Sequence, residues 1–455
     1  MPELARDTPS DWQTREEVAG GLAPDLDHWW RAFDDPVLNS LIERALQNNL
    51  NIQIAGERLQ AARLVRQANR GAFWPNLNFR TFIETTPNSS TGFLEVGLDS
   101  TWEFGFFGRA AGTARLNLAD ENLAIIDEAA LRVTVIAEVA RNYIELRAAQ
   151  SRAQALDAIV TQQRAQADLI AKRVSLRLGT PLELDRVQAA LQQAQSDATE
   201  PALTAVQAAQ ALAVLLGATT VDPALRVGAP QMSAQQLSVE QLSVEQPALP
   251  PIDFRQVPAD LVRTRADIRR AEQNVVRAAG ELGIARADLF PKFGIDATLI
   301  SSTALTSTNL NDNFIFIAGP AIFLPIVDWG ARRGVANARE RALQAAVLAY
   351  REAVIEGLAE AQTALAQFDA KTLLADNVQK TLALHERGAQ TAQMLQRIGL
   401  ADGVETAEAN LAAAQAQLQR NLAVRDRALA YIALYKAFGG TLPPLAGDSQ
   451  AQGLR

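Results

Sequence analysis

The chain of 455 residues contains no cysteine and only two histidines, His28 and His385. Disulfides, thiolate metal sites and a cysteine nucleophile are therefore excluded, and a histidine-based catalytic centre is not expected. The sequence also lacks a phosphate-binding glycine loop after a strand, a serine nucleophile elbow and a cluster of carboxylates around a histidine. We therefore predict a protein that is not an enzyme, with no catalytic residue, no metal site and no cofactor.

Long apolar runs and concentrated positive charge are missing as well. No stretch of about 18 apolar residues occurs, so no transmembrane helix is expected. Residues 1–6 show no charged region followed by an apolar core, so no signal peptide is visible. The net charge is -8 and the basic residues are scattered, which argues against nucleic acid as a partner. These absences describe a soluble protein, except that the short strands of a membrane β-barrel leave almost no hydropathy signal.

What is present is an internal repeat built from long helical runs. The segment Arg177–Thr180 (Arg-Leu-Gly-Thr) returns in the second half of the chain as Arg397–Leu400 (Arg-Ile-Gly-Leu), and each copy separates two runs rich in Ala, Gln and Leu. Between residues 108 and 178 there is no proline, which predicts one continuous helix. About seventy helical residues would extend about 105 Å, a length that indicates coiled-coil packing. We interpret the two copies as the turns of helical hairpins, in which Gly179 and Gly399 reverse the chain at little cost.

Two pairs of alternating segments precede the long helices. Apolar and polar residues alternate in 77–84, 94–104 and 293–299, and in 314–318 Phe314, Phe316 and Ala318 alternate with Ile315 and Ile317. This is the period of strands that have one apolar and one polar face. Pro75 and Pro291 end the helix before each pair. Each half of the chain thus predicts a helix, two strands, a very long helix, a turn and a shorter helix.

Four such strands cannot cover their own edges or close a barrel. Strands of about ten to fourteen residues match the height of a bilayer core when they are tilted. Three copies of the chain would supply twelve strands, a number within the range of outer-membrane barrels. An antiparallel sheet packed on the helices of a soluble protein is the alternative that the residues alone leave open. The matching positions of Pro75 and Pro291 favour one tube that passes from a helical wall to a β wall.

Four motifs, in a fixed order and spacing, carry a resemblance to a known family. They are the opening Trp29-Trp30…Phe33-Asp34-Asp35-Pro36-x-Leu38, the junction Trp102-Glu103-x-x-x-Phe107-Gly108-Arg109, its counterpart Pro325-Ile326-x-Asp328-Trp329-Gly330-x-Arg332, and the two Arg-[Leu/Ile]-Gly turns. With them the chain resembles the TolC/OprM-type outer membrane factors over about residues 28–440, and more narrowly their NodT-like lipoprotein branch.

The resemblance implies an α+β membrane protein with four β-strands and very long coiled-coil helices per chain, in two structural repeats. A trimer would form a 12-stranded β-barrel continuous with a 12-helix α-barrel. The expected organisation is an extended arm (1–34), a first repeat (35–217; strands about 75–106, tip about 177–185), a linker or equatorial belt (218–256), a second repeat (257–440; strands about 291–326, tip about 397–405) and a tail (441–455). Lipoprotein members carry a signal peptide and a lipid-bearing cysteine, and this sequence shows neither, so lipidation of the N-terminus stays open.

The function that the resemblance implies is the exit duct of a tripartite efflux pump in the bacterial outer membrane, conducting drugs or other small molecules passively from the periplasm. The expected partners are two further copies of the chain, a periplasmic adaptor (membrane fusion) protein, an inner-membrane pump of the RND type and outer-membrane lipid. A type I protein-secretion duct is the alternative within the family. A soluble coiled-coil scaffold is the alternative of another class.

The resemblance also implies roles for residues at the two turns, which would form the periplasmic tip. The residues expected to dock the adaptor are Arg177, Leu178, Gly179, Thr180, Arg397, Ile398, Gly399 and Leu400. Glu405 and Glu408 lie three apart, hence on one helix face. Together with Asp185 they are expected to ring the pore as a gate, and ordinary solvated carboxylates are the alternative.

Two further expectations concern ion pairs and motion. Arg177 and Arg397 are candidate partners of Asp185 or Glu405. The second hairpin is expected to move, because its turn is looser than the Thr-Pro turn of the first hairpin. The residues expected at the strand–helix junctions are Pro75, Gly108, Pro291 and Gly330.

Overall fold

The structure is a computed structural model that describes residues 28–85, 92–222, 225, 249, 265–304, 314–440, 443, 445 and 446. Most of the arm, the belt and the tail expected from the sequence therefore lie outside the described residues. The chain divides into two compact units. Unit 1 comprises Met1–Ile54, Ala129–Arg265 and Glu356–Leu442, and unit 2 comprises Ala55–Glu128, Ala266–Ile355 and Pro443–Arg455.

Within the described residues the chain forms eight α-helices. They are α1 Pro36–Asn48, α2 Leu50–Asn69, α3 Arg109–Ser175, α4 Pro181–Asp197, α5 Glu200–Leu215, α6 Ala266–Ala287, α7 Trp329–Arg397 and α8 Gly403–Phe438. Helices α3 and α7 contain 67 and 69 residues, which confirms the two very long helices predicted from the sequence. Across the part of the chain that the structure describes, no helix combines the length and the apolar character needed to cross a membrane.

The shorter helix predicted after the first turn is interrupted, so the prediction of a single helix there is wrong. Helix α4 ends at Asp197 and α5 begins at Glu200. The N–H of Thr199 donates to the carbonyl of Ser196 at 3.1 Å, a tighter turn than the helix makes. Pro201 explains the break, because it lacks an N–H and its ring would clash with the carbonyl of residue 197.

The aromatic opening of the chain belongs to the core of unit 1. Asp35 caps α1, since its Oδ1 accepts from the N–H groups of Val37 (2.8 Å) and Leu38 (3.1 Å). Just before the cap, Trp29 stacks on Tyr435 with ring centroids 5.2 Å apart. The same core holds further large side chains that are fully or almost fully buried: Trp30, Phe33, Tyr143, Leu365, Phe368, Tyr431 and Phe438.

The four predicted strands form one antiparallel sheet in unit 2. They are β1 Asn78–Thr85, β2 Gly92–Glu103, β3 Lys292–Ala304 and β4 Phe314–Phe323, paired in that order. The central pairing joins the two repeats, with Leu98 of β2 opposite Leu299 of β3. Strands β1 and β4 are the two edges of this sheet.

Strands β1, β2 and β3 have the apolar and the polar face that the alternation predicted, whereas β4 is apolar on both faces, with Ile315 and Ile317 on the face opposite its phenylalanines. Phe79, Leu98, Leu299 and Phe316 lie opposite one another in a row across all four strands. The side chains of Phe79 and Phe316 are each 69% exposed. On the other face Arg80 Nε lies 3.0 Å from Asp99 Oδ2, and Thr298 Oγ1 donates to Asp99 Oδ1 at 2.9 Å. An apolar row with an exposed phenylalanine at each end is the kind of patch that membrane or partner contact covers.

Candidate functional site

The first hairpin turn closes with two backbone hydrogen bonds at the end of α3. The N–H of Arg177 donates to the carbonyl of Val174 (3.0 Å), and the N–H of Leu178 to that of Arg173 (2.8 Å). This is the Schellman pattern, which needs one residue in the left-handed conformation. That residue is Arg177, with φ at 60°. The prediction that Gly179 reverses this helix by its backbone freedom is therefore wrong.

The second turn has the same hydrogen bonds but a different residue at the left-handed position. The N–H of Gly399 donates to the carbonyl of Gln396 (3.0 Å), and the N–H of Leu400 to that of Leu395 (2.9 Å). Gly399 has φ at 77°, as predicted for a reversing glycine. Gly399 is therefore the structural equivalent of Arg177. The repeated Arg-[Leu/Ile]-Gly motif aligns Arg177 with Arg397. This alignment is offset by two residues from the one that the backbone conformation gives.

A reciprocal cap holds the start of α4, directly after the first turn. Thr180 Oγ1 accepts from the N–H of Glu183 (3.3 Å), and Glu183 Oε2 accepts from the N–H of Thr180 (3.0 Å). Pro181 occupies the first helical position, for which its fixed φ is suited. A Cβ at position 179 would lie 3.2 Å from Glu183 Oε2. Gly179 therefore makes room for the cap, a role that the sequence motif did not indicate.

The start of α8, after the second turn, is held by a single cap. Asp402 Oδ1 accepts from the N–H of Glu405 at 2.8 Å. No side-chain bond returns from Glu405 to Asp402 in the described part of the chain. Gly403 occupies the first helical position, where the other turn has a proline. The second turn thus has one side-chain capping bond where the first has two, and the greater motion expected of the second hairpin stays a prediction.

The two hairpins contact each other at their turns, inside unit 1. Arg173 Nη1 lies 3.5 Å from Asp402 Oδ2, and both side chains are substantially exposed. A Cβ at Gly403 would lie 3.5 Å from the methyl groups of Leu169, so α3 packs closely on the start of α8. Sequence analysis missed Arg173 because it lies in the last turn of α3, before the repeated motif begins.

The three acidic residues predicted for the gate are exposed. Asp185, Glu405 and Glu408 all lie on the surface of their helices. Among the described residues, none of these carboxylates forms an ion pair, and neither Arg177 nor Arg397 reaches Asp185 or Glu405. The ion pairs suggested for those arginines therefore do not form within one chain, and the three carboxylates face solvent.

Both turns also expose large apolar side chains. Their exposures are 69% for Leu176, 67% for Leu178, 59% for Leu182, 63% for Ile398 and 72% for Leu400. Exposed apolar side chains gathered in this way mark a surface for interaction with another protein. Four of the eight predicted docking residues are arginines or glycines, so the aliphatic residues between them supply the apolar contact area.

The strand–helix junctions lie in unit 2 and carry ion pairs. Pro75 and Pro291 precede β1 and β3, Gly108 (φ 88°) directly precedes α3, and Gly330 lies in the first turn of α7. Arg109 binds two carboxylates: its Nε lies 2.9 Å from Glu103 Oε1, and its Nη1 bonds to Asp288. The sequence showed the Glu103 and Arg109 pair as a motif but gave no sign of Asp288, which belongs to the other repeat.

The second-repeat counterpart of Arg109 is bound more locally. Arg332 Nη2 lies 2.7 Å from Asp328 Oδ2, within the same turn of chain, and Arg332 Nη1 donates to the carbonyl of Asp288 at 3.4 Å. The hydrogen bond from Arg332 lowers the pKa of the Asp328 carboxyl below its usual value. No group of carboxylates and histidines with the geometry of a metal site occurs in the described residues.

Comparison with known proteins places these features in a family. The model of the family described as outer membrane efflux protein matches residues 41–218 and 257–440. Nodulation protein T of Rhizobium leguminosarum bv. trifolii is 24% identical over 445 residues, 92% of this chain and 88% of that protein. The pyoverdine export outer membrane protein OpmQ of Pseudomonas aeruginosa is 26% identical over 452 residues, 95% of this chain and 91% of that protein.

The fold is similar to that of solved outer-membrane channels. The structure of the outer-membrane channel OprN superimposes with a TM-score of 0.78 and 25% sequence identity. The match covers 96% of this chain and 98% of that one. The similarity thus includes both hairpins and the four-stranded sheet.

Proposed function

Because the chain belongs to the outer membrane efflux protein family, we propose that it is the exit duct of a tripartite efflux pump. The protein is an outer-membrane channel with a large periplasmic portion. In this proposal drugs or other small molecules pass through it passively, driven by an inner-membrane pump of the RND type. Family membership argues against the alternative of a soluble scaffold.

The proposed duct is a homotrimer. Among the described residues of one chain, the outer edges of β1 and β4 have no pairing partner, and unpaired edges inside a bilayer cost several kcal/mol per polar group. Pairing β1 of one copy with β4 of the next would close a twelve-stranded barrel. The exposed row from Phe79 to Phe316 would then face lipid.

The observation that carries the proposed gate is the contact between the two turns, the 3.5 Å approach of Arg173 and Asp402. It puts the start of α8 beside the end of α3, so in each of three copies Glu405 and Glu408 would lie next to the same opening. Rings of like charge attract cations, oppose anions and limit how tightly a closed tip packs. Asp185, which follows the first turn, would add a further ring.

The proposed docking surface for the adaptor is the pair of turns. Its aliphatic side chains Leu178, Ile398 and Leu400 are exposed by 63% to 72%. Arg177 and Arg397 flank them, and neither forms an ion pair within the described residues. An adaptor end with apolar residues and acceptor groups would fit such a surface.

The gate is tested by removing its charge. Replacing Glu405 and Glu408 with Ala should weaken block by polyvalent cations and change the single-channel conductance in planar bilayers. The matched control replaces Glu352 and Glu356, two exposed glutamates in the first half of α7, far along that helix from the second turn. We expect the control variant to have the conductance and the cation block of the wild type.

Two outcomes would contradict the proposal. If conductance and cation block are unchanged in the Glu405 and Glu408 variant, the gate assignment is wrong although the duct stands. If the wild-type protein is monodisperse without detergent and forms no channels at all, the duct itself is wrong.

A further inference from the structure

An open groove of about 840 Å³ lies in unit 2 between the last turns of α2 and the first turns of α3. Its floor is apolar, formed by Phe73 and by alanine and leucine side chains of α3. Its rim is polar, with Arg66, Arg70 and Asn117 among the lining residues. An apolar floor with a few convergent polar groups is the usual form of a ligand site.

The groove carries more positive than negative charge. Glu121, which is 8% exposed, is bound by Arg66 and lies 3.7 Å from Arg63. These two guanidinium groups more than neutralise the one carboxylate. Arg70, one turn further along the chain from Arg66, forms no ion pair within the described residues. A free guanidinium beside an already neutralised carboxylate favours an anion, and its planar donor group matches phosphate.

The amides on the rim add donors without adding charge. Asn69 Nδ2 donates to Asn117 Oδ1 at 2.9 Å. This bond fixes which end of each amide is used, and it leaves the Nδ2 group of Asn117 as a donor at the groove. The rim therefore offers hydrogen-bond donors from both helices.

The upper end of the groove reaches the sheet, where aromatic side chains gather. The carbonyl of Phe73 accepts from Trp102 Nε1 at 2.8 Å, and Trp102 and Phe104 pack with ring centroids 5.0 Å apart. Trp74, the next residue along the chain, is 74% exposed. Tryptophans of membrane proteins concentrate at the level of lipid headgroups. The groove thus begins where the sheet with its exposed phenylalanine row ends.

We propose that this groove binds the headgroup of an anionic phospholipid, with its phosphate on Arg70 and its glycerol region on the apolar floor. Charge complementarity selects the phosphate, and the apolar floor with the neighbouring tryptophans selects a lipid over a free phosphate ion. Bound lipid would fasten the end of the sheet to α2 and α3. The site depends on the outer-membrane location and is independent of the gate.

The test counts bound lipid by native mass spectrometry on the assembled protein, titrated with phosphatidylglycerol or phosphatidylcholine. We expect one phosphatidylglycerol site per chain, and Arg70→Gln should weaken it about tenfold, the effect of losing one charge-assisted hydrogen bond. Ala114→Trp, which fills the groove and keeps its charge, should weaken it too. Both variants should show the same assembled mass as the wild type, which separates lost binding from lost folding.

Arg58→Gln is the matched control, because Arg58 is an exposed arginine of α2 outside the groove. It should leave phosphatidylglycerol binding unchanged. Equal loss in Arg58→Gln and Arg70→Gln would mean that only the general positive field matters and would overturn the site. Displacement of the lipid by millimolar inorganic phosphate would overturn the choice of a lipid. Conductance of the Arg70→Gln channel should match the wild type, so failure here leaves the duct untouched.

Discussion

The hydroxyl of Tyr143 donates to Asp35 Oδ2 at 2.7 Å while the other oxygen of the same carboxylate caps α1. The Asp35 side chain thus accepts hydrogen bonds both from the first turn of α1 and from a buried tyrosine in the middle of α3. Burial raises the pKa of Tyr143 well above its usual range, and the hydrogen bond to Asp35 reinforces this effect against the opposing charge of Arg147.

Tyr143→Phe should therefore lower the free energy of unfolding by about 1.5 kcal/mol, the worth of a hydrogen bond to a charged group. Because the folded-state pKa is raised, Tyr143 contributes its stability fully below about pH 10, the unfolded value, and loses it as the pH rises further. Thermal unfolding in detergent between pH 8 and pH 11 measures both effects. Equal alkaline loss in the variant and the wild type would contradict the assignment.

The two turns should respond in opposite directions to glycine. Arg177 holds a left-handed conformation that costs a residue with a side chain about 1–2 kcal/mol, so Arg177→Gly should stabilise the first turn. Gly399→Ala should destabilise the second turn by a similar amount. Protection of the Leu178 and Leu400 amides against hydrogen exchange reports each turn separately.

Gly388→Ala supplies the control for this comparison. Gly388 lies inside α7 with open space around it and without a positive φ, so the same substitution should stabilise by about 1 kcal/mol through helix propensity. If Gly388→Ala and Gly399→Ala shift stability in the same direction, the left-handed conformation of Gly399 is not what that turn requires.

Motion of the second hairpin against the first is testable because the chain has no cysteine of its own. Cysteines at positions 173 and 402, which replace a pair 3.5 Å apart, can be joined by a short cleavable bismaleimide. We expect efflux to stop on joining and to return on cleavage. The two single-cysteine variants with reagent are the controls, and undiminished efflux in the joined protein would mean that the tips do not separate there.

Arg109 should contribute more to the stability of the fold than its counterpart Arg332. Arg109 links the end of β2 to the residue after α6 through Glu103 and Asp288, so Arg109→Gln should cost about 1.5 kcal/mol. Arg332 pairs with Asp328 one helical turn away, and its only long-range bond among the described residues goes to the neutral carbonyl of Asp288 at 3.4 Å, so Arg332→Gln should cost less than Arg109→Gln. Similar losses in the two variants would show that the local pair is as important as the long-range one.

The sequence predicted those features whose cause is local periodicity. The strands follow from alternation, and the length of α3 follows from a run of residues without proline. The break before α5 was not predicted, although Pro201 is a residue that interrupts helices. The alanines and glutamines around it favour a helix so strongly that a continuous one was expected. For the strands and the break, the deciding residues lie within one or two turns of each other.

The backbone conformation and the contacts of the two turns could not be predicted from the sequence, for a different reason. The sequence motif aligned Arg177 with Arg397, whereas the left-handed backbone conformation is shared by Arg177 and Gly399. Arginine rarely adopts the left-handed conformation, so the identity of residue 177 did not indicate that conformation. The contact of Arg173 with Asp402 joins the two halves of the chain and depends on how two hairpins pack, which single-sequence periodicity does not encode.

The pairing of β2 with β3 has a consequence for the time course of folding. Trp102 lies opposite Ile295, so the whole first hairpin, the linker and α6 lie in the loop that closes when β2 pairs with β3. Closing so long a loop costs entropy before the pairing compensates for it, so we expect this step to be slow. Until the step is complete, the first pair of strands has an unpaired apolar edge, which favours aggregation. A chaperone that shields this incomplete sheet should therefore raise the yield of folded protein.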